Sequence, residues 1–292
     1  MANIRIGGQA VVNGVTMRSD HYVCTAVRKN NGKIKIKTRK FSSITDKNKF
    51  FGFPFVRGII SLVEMISFGI KEIHWSTNQS LNKKDEKIKT SELAIALLIS
   101  LVVALVIFKF IPWLTANILT NAFKNSYFLL NVMDGAIKII LISLYLYLIS
   151  KTKDIDVLFR YHGSEHKAVS CFESKKKLTP KNAAKFTTIH PRCGTTFVIL
   201  VFVLSILFYL LIPSGFSFWF NLLIRILLLP IIAGFAFELI RLSGKYYYKN
   251  KLVRIMMWPG LQFQKLTTKE PDLNQLEVAI AALNGCIKKE KS

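Results

Sequence analysis

Acidic side chains are scarce in this chain: 17 Asp and Glu stand against 41 Lys and Arg, a formal charge of +24 over 292 residues. Cysteine is scarcer still, at four, and Cys24, Cys171, Cys193 and Cys286 all fall in basic segments. A disulfide framework is therefore not expected, and in a cytoplasmic setting these thiols stay reduced. The first residues, Met1 to Gly8, lack the apolar core of a cleavable signal. No internal repeat is visible. What the chain has in quantity is apolar surface, at 51% hydrophobic residues, gathered into long runs rather than spread periodically. High charge and high apolarity coexist only because they are segregated. That is the composition of a polytopic membrane protein with basic, non-translocated loops, not of one or two soluble domains.

Four runs are long enough to cross a bilayer, which takes roughly 20 apolar residues. They span 91–114, 129–149, Thr195 to Ile212 and Phe216 to Leu242, the last two joined by Pro213-Ser214-Gly215. The charge bias orients them. Residues 151–192 carry ten Lys or Arg, and the first 90 residues and the tail beyond Arg241 are similarly basic. The 112–128 loop carries only Lys124 and the Pro213 turn carries none. Both termini and the central insert are thus expected in the cytoplasm. Inside the spans, Asp134 lies one helical turn from Lys138 and at a depth comparable with Arg225. An Asp134–Arg225 or Asp134–Lys138 pair in the bundle interior is expected, as a structural clamp or as part of a transport or proton path.

The flanking segments read as follows. Residues 1–50 are β-rich: Gln9 to Met17 contains the turn signal Asn13-Gly14, and Tyr22 to Arg28 faces Lys33 to Phe41 across Asn30-Asn31-Gly32. The alternating Lys33-Ile34-Lys35-Ile36-Lys37 gives a basic, solvated edge that resists aggregation. Residues 54–75 carry Arg57, Glu64 and Lys71 at intervals of seven, with His74 near the same side, as in an amphipathic interfacial helix. A lysine-rich linker is expected over 76–90. After the second pair of spans (195–243), residues 244–292 hold a short expected strand, Leu261 to Leu266, and a helix from Glu270-Pro271-Asp272 with Leu273, Leu276, Ile280 and Leu283 on its apolar face. The fold class is an α-helical polytopic membrane protein. It has four transmembrane helices (91–149 and 195–243), an amphipathic helix, and a small cytoplasmic α+β cap built from both termini.

The insert, 150–194, is where chemistry concentrates. Three of the five histidines and two of the four cysteines lie between Tyr161 and Gly194. Asp154 to Glu173 has helical spacing, with Gly163 its one weak residue. On a helix His162 and His166 share a face, a spacing that lets two imidazoles chelate zinc or another borderline divalent metal. His162-Gly163-Ser164-Glu165-His166 has the order of inverted zinc peptidases, in which Glu165 would be the catalytic base. His190 and Cys193 in His190-Pro191-Arg192-Cys193 are candidate further ligands, and Glu173 is another. The alternatives are histidines that serve only as hydrogen-bonded surface groups, a closed structural metal site, and a cationic pocket of Arg160, Lys167 and Arg192 for a headgroup or phosphate.

Several stretches together resemble the YqhQ-like family of uncharacterised bacterial membrane proteins, catalogued as predicted metal-dependent enzymes. They are Gly7-Gly8-Gln9-Ala10-Val11 with Gly14 to Arg18, Arg57-Gly58 with Glu64, Tyr161 to Lys167, His190 to Thr195, and Pro259-Gly260-Leu261 with Leu266 to Asp272. The resemblance covers essentially the whole chain. It implies a multi-pass protein of the bacterial cell membrane and a dependence on metal, and it supplies no substrate. Glu238, the next glutamate downstream of the insert, sits in the fourth span, so the motif lacks a well-placed downstream carboxylate ligand. Three functions follow from the residues. The first is a metal-dependent hydrolase at the cytoplasmic leaflet. The second is a non-enzymatic scaffold or accessory factor that binds an anionic partner (ribosome, nucleic acid or lipid headgroups). The third, a transporter, has few spans for a monomer, although an oligomer is compatible with the sequence.

Overall fold

The computed structural model describes residues 4–47, 49–81, 89–121, 127–213 and 216–292. Lys124, residues 82–88 of the lysine-rich linker, and Ser214-Gly215 of the expected turn lie outside the described residues. The chain opens with a four-stranded antiparallel sheet in sequence order, β1 (Gly7–Val11), β2 (Gly14–Arg18), β3 (Tyr22–Arg28) and β4 (Ile34–Lys40). Both expected hairpins form. Asn13 (φ 52°) and Gly32 (φ 78°) take the left-handed backbone conformation that those residue types tolerate. Helices α1 (Ile44–Lys47), α2 (Val56–Ser80), α3 (Thr90–Leu105), α4 (Ile111–Asn121), α5 (Tyr127–Ile149) and α6 (Lys153–Glu173) follow. The chain closes with α7 (Pro180–Ala183), α8 (Gly194–Leu210), α9 (Phe218–Tyr246), α10 (Lys251–Thr267) and α11 (Leu273–Lys291).

The sheet is sandwiched. On one face Val15, Met17, Cys24 and Ala26 form a core with Tyr161 and Ala168 of α6 and with Leu276, Ala279, Leu283 and Cys286 of α11. The other face meets α2, where Glu72 is 1% exposed and accepts hydrogen bonds from Thr25 Oγ1 (2.7 Å) and Arg39 Nε (3.0 Å). The helix from Asp272 forms as expected, with Asp272 accepting from Gln275 N at 2.7 Å as its N-cap. Leu273, however, is exposed rather than part of the apolar face.

Among the described residues, three helical stretches are long and apolar enough to cross a membrane: Thr90–Ala116, Phe128–Ile149 and Trp219–Tyr246. The third expected span forms as the shorter apolar helix Gly194–Leu210, of 17 residues. The first stretch passes through a π-helical turn, Val106–Phe110, that ends two residues before Pro112. Pro112 has no N–H to give the preceding turn and its ring crowds the carbonyl four residues back, which a widened turn accommodates.

Two local expectations are corrected. Residues Leu261 to Leu266 are not a strand but the C-terminal part of α10. Pro259-Gly260 reads as a break in sequence, yet Asn250 caps the helix through its side chain, and Met257, Leu261 and Gln264 bury one face against α8 and α9. The linker expected from residue 76 begins later, because α2 runs on to Ser80. The polar stripe of α2 is split among separate contacts. Arg57 makes a two-point ion pair with Glu238 (2.7 and 2.6 Å), Glu64 accepts from Ser43 Oγ and Ile44 N, His74 bonds Asn78, and Lys71 faces solvent.

Candidate metal centre

The insert helix α6 brings His162 and His166 onto one face, with ring centroids 4.5 Å apart. Cys193 reaches the same point as the N-cap of α8, and its sulfur accepts from Thr195 N at 3.4 Å. The ligand atoms of His162, His166 and Cys193 all lie within 4.8 Å of one another. Cys193 and His166 are buried and His162 is half-buried.

The outer bonds of the two rings orient this group. His162 Nδ1 lies 2.9 Å from the Thr267 carbonyl and His166 Nδ1 lies 2.5 Å from the Thr188 carbonyl. A carbonyl only accepts, so each Nδ1 carries the proton and each Nε2 is left as the lone-pair atom of the neutral ring. His162 Nε2 sits 3.2 Å from Cys193 Sγ. Imidazole nitrogens fixed by backbone carbonyls and aimed at a thiolate sulfur are the ligand chemistry of zinc. Burial pushes the Cys193 thiol up, but His162 and His166 outweigh it and hold it well below its ordinary value. Burial lowers His166, while Cys193 and Glu165 raise it to a net upward shift. A thiol held low beside two imidazoles gives up its proton readily, as binding of a divalent cation requires.

Gly163 makes the His162 bond possible. A Cβ there would lie 2.1 Å from the Lys269 carbonyl oxygen, so the residues after α10 can lie against α6 only at a glycine. Lys269 then ties the start of α6 through its ammonium, to Asp156 at 2.7 Å and the Ser150 carbonyl at 2.8 Å. Hydrogen bonds from Lys269 and Arg160 lower the Asp156 carboxyl.

The other expected site residues are placed around this group. Glu165 is 5% exposed, with Oε2 3.4 Å from His166 Nε2. His190 stacks beside His166 at 5.8 Å but stands outside the three-ligand group. Its Nε2 is 3.2 Å from Glu173 Oε2, and burial lowers it. Glu173 is therefore engaged with His190 and Arg192 rather than with the group. The three basic residues each hold a carboxylate: Arg160 that of Asp156 (2.7 Å), Lys167 that of Glu270, and Arg192 that of Glu173. Burial holds Arg192 below its ordinary value.

Three contributors carry no ligand signal in the sequence. The Thr267 and Thr188 carbonyls are backbone atoms, invisible to residue type. Gln264, fully buried, brackets the His190 backbone with a bond to each side (2.8 and 2.7 Å) and also donates to Thr196 Oγ1. A lone glutamine on the apolar face of a helical pattern was its only signal, and a strand assignment hides it.

A second polar group lies inside the apolar helices. Lys138 Nζ is 2.5 Å and Arg225 Nη1 3.4 Å from Asp134 Oδ2, so both expected pairs form together. Arg225 also donates to Asn131 and Asn221, each at 2.6 Å, and lies over the Tyr209 ring.

The fold and this group define a class: a mostly helical protein with helices fit to cross a membrane, a small sheet packed on its insert and last helix, and a His/His/Cys cluster that can hold a metal ion. The chain belongs to the DUF1385 family, described as proteins of unknown function, which matches residues 53–289. It is similar to the uncharacterized protein YqhQ of Bacillus subtilis (strain 168), with 31% identity over 297 residues, covering 97% of this chain and 92% of that protein. No solved structure matches it significantly.

Proposed function

We propose that this protein is a multi-pass membrane protein that holds one divalent ion, zinc by ligand chemistry, on His162, His166 and Cys193, and that it is a metal-dependent hydrolase. The observation that carries the metal site is the pair of Nδ1–carbonyl bonds, which commit both Nε2 atoms to the space beside Cys193 Sγ. Three protein ligands leave a position for water or substrate, as catalytic zinc sites do. An ion bound there supplies a Lewis acid. Glu165 sits at the rim with a carboxylate that would accept the proton of an attacking water, and its burial beside His166 supports that role.

Four spans, with α8 the shortest, and cytoplasmic termini and insert complete the proposal, supported by the excess of Lys and Arg in those segments. The basic segments would meet anionic headgroups. A role as a scaffold for an anionic partner has less support at Arg160, Lys167 and Arg192, since each is already paired within the chain.

Elemental analysis of detergent-purified protein tests the site. The wild type and Glu165→Gln should retain about one zinc per chain, and His162→Ala/His166→Ala should retain none. A wild type free of metal after chelator-free purification overturns the proposal. Reporter fusions at both termini and within 175–185 check the orientation, and an external reporter at any of them overturns that part.

A further inference from the structure

The two edges of the sheet are finished differently. The β4 edge carries Lys35, Lys37, Arg39 and Lys40, the charged finish that keeps other strands away. The β1 edge is Gly7-Gly8-Gln9-Ala10-Val11, without a charge or a proline. In the β1–β2 ladder Val11 faces Gly14 across the two-residue turn, so the bonded pairs are Val11/Gly14, Gln9/Thr16 and Gly7/Arg18. The backbone N–H and C=O groups of Gly8 and Ala10 therefore point away from the sheet. No hydrogen-bond partner for them occurs among the described residues. Gly7 and Gly8 are exposed and Ala10 is half-buried.

This open edge runs alongside the candidate metal centre. The Ile6 carbonyl, next outward on the same edge, faces Arg192 Nη2 at 3.5 Å, one residue before Cys193. A Cβ on Gly8 would lie 2.8 Å from Glu165 Cγ and 2.9 Å from Glu165 Oε1, so the strand backbone lies directly against the proposed base. An unguarded edge whose free backbone groups border a proposed catalytic carboxylate is built to pair with another backbone.

We infer that the β1 edge binds an extended polypeptide segment as an added strand, through the outward groups of Gly8 and Ala10, and presents one of its peptide bonds beside Glu165. This rests on the hydrolase proposal for its chemistry and not for its binding. In the reaction, water adds to the peptide carbonyl carbon, the C–N bond breaks, and the proton taken up by Glu165 passes to the leaving amine. The products are a carboxylate and an amine, with no change in oxidation state.

Binding is measured with the full chain in nanodiscs, by fluorescence anisotropy. The probe is a fluorescein-labelled octapeptide of alternating Val and Lys, whose positive charge opposes nonspecific attraction to a basic protein. Its twin carries N-methyl groups on one backbone edge. The parent peptide should bind at least about tenfold more tightly than the twin, as expected for the loss of one or two main-chain hydrogen bonds. Ala10→Pro removes an outward N–H and spares the β1–β2 ladder, a placement that edge strands tolerate. It should weaken the parent peptide about tenfold at unchanged zinc content and melting temperature. Gly7→Lys, where a side chain meets nothing within 4 Å, should weaken it as well. Equal binding of parent and twin overturns the inference, as does unchanged affinity in folded Ala10→Pro and Gly7→Lys. Absence of binding overturns it too, including the case in which β1 edges of two copies pair instead. Repeating the titration after chelation separates the two proposals: binding without zinc leaves the edge standing if the metal site fails.

Discussion

Around Asp134 each charge faces its opposite, whereas at His162, His166 and Cys193 three electron-pair donors face one another. Asp134 takes Lys138 at 2.5 Å and Arg225 at 3.4 Å, and Arg225 also donates to Asn131 and Asn221. Only Asp134 Oδ1 lacks a partner in that group among the described residues. In such a group every ion meets an opposite charge, and the bonds join α5 to α9 inside the apolar helices. The histidine group is turned outward from its supports: both Nδ1 protons are consumed by carbonyls, and what converges is lone pairs and sulfur. A buried cluster closed on itself holds helices together. One that gathers donors without an acceptor is arranged for a cation.

The sharpest break of this contrast is the double substitution His162→Ala/His166→Ala, which should abolish zinc in elemental analysis while the helical circular dichroism is kept. Zinc retained at the wild-type level would place the ion elsewhere. Arg225→Leu should do the reverse. It removes the second cation on Asp134 and the donors to Asn131 and Asn221 while leaving the Asp134–Lys138 pair, and should lower stability by about 1–3 kcal/mol with zinc content unchanged. Denaturant unfolding in detergent measures this, and a loss below about 1 kcal/mol would mean the clamp is dispensable.

Gly163→Ala comes next. Its methyl cannot coexist with the Lys269 carbonyl, so the Thr267 carbonyl must withdraw from His162. Zinc affinity should fall about 10- to 100-fold, as for other lost outer-shell bonds to a metal histidine. Competition against a chromogenic chelator reads the change, and unaltered affinity would remove the carbonyl from the account.

The smallest effect is at the tether of α11 to the sheet. His21 Nδ1 lies 3.0 Å from Glu290, whose hydrogen bond raises His21 above 6.5. Burial lifts the Glu290 carboxyl, but the bonds from His21 outweigh it and leave it below 4.5. The raised His21 contributes in full below 6.5 and loses its contribution as pH rises through its shifted value. The depressed Glu290 contributes above 4.5 and loses it as pH falls through its own. The tether is therefore complete between these values. His21→Ala should flatten part of the decline in melting temperature as pH rises above 6.5. Identical pH profiles for the two proteins would show that the tether contributes nothing.

Much of the fold is legible because its signals are local. Asn13-Gly14 and Asn30-Asn31-Gly32 specify hairpins by backbone conformation, and the apolar runs specify helices by length alone. The α10 helix was hidden because Pro259-Gly260 carry break signals that only packing against α8 and α9 overrides. Glu72 is hidden for a similar reason. It falls outside the seven-residue stripe of α2, and its partners Thr25 and Arg39 come from strands far away in sequence.

The sequence by itself determined the segregation of apolar helices from basic segments, the helical pairing of His162 with His166, and the presence of a thiol and a carboxylate near them. These depend on spacing within one helix or on composition, and need no distant partner. Only the tertiary structure decided which neighbour joins the two histidines. Cys193 does so because it caps α8, while His190, three residues earlier, is drawn to Glu173 and held by Gln264. It also brought the Thr267 and Thr188 carbonyls to the rings and laid the edge of β1 across Glu165. Those contacts join backbone atoms of segments far apart in the chain, and backbone atoms leave no trace in residue type.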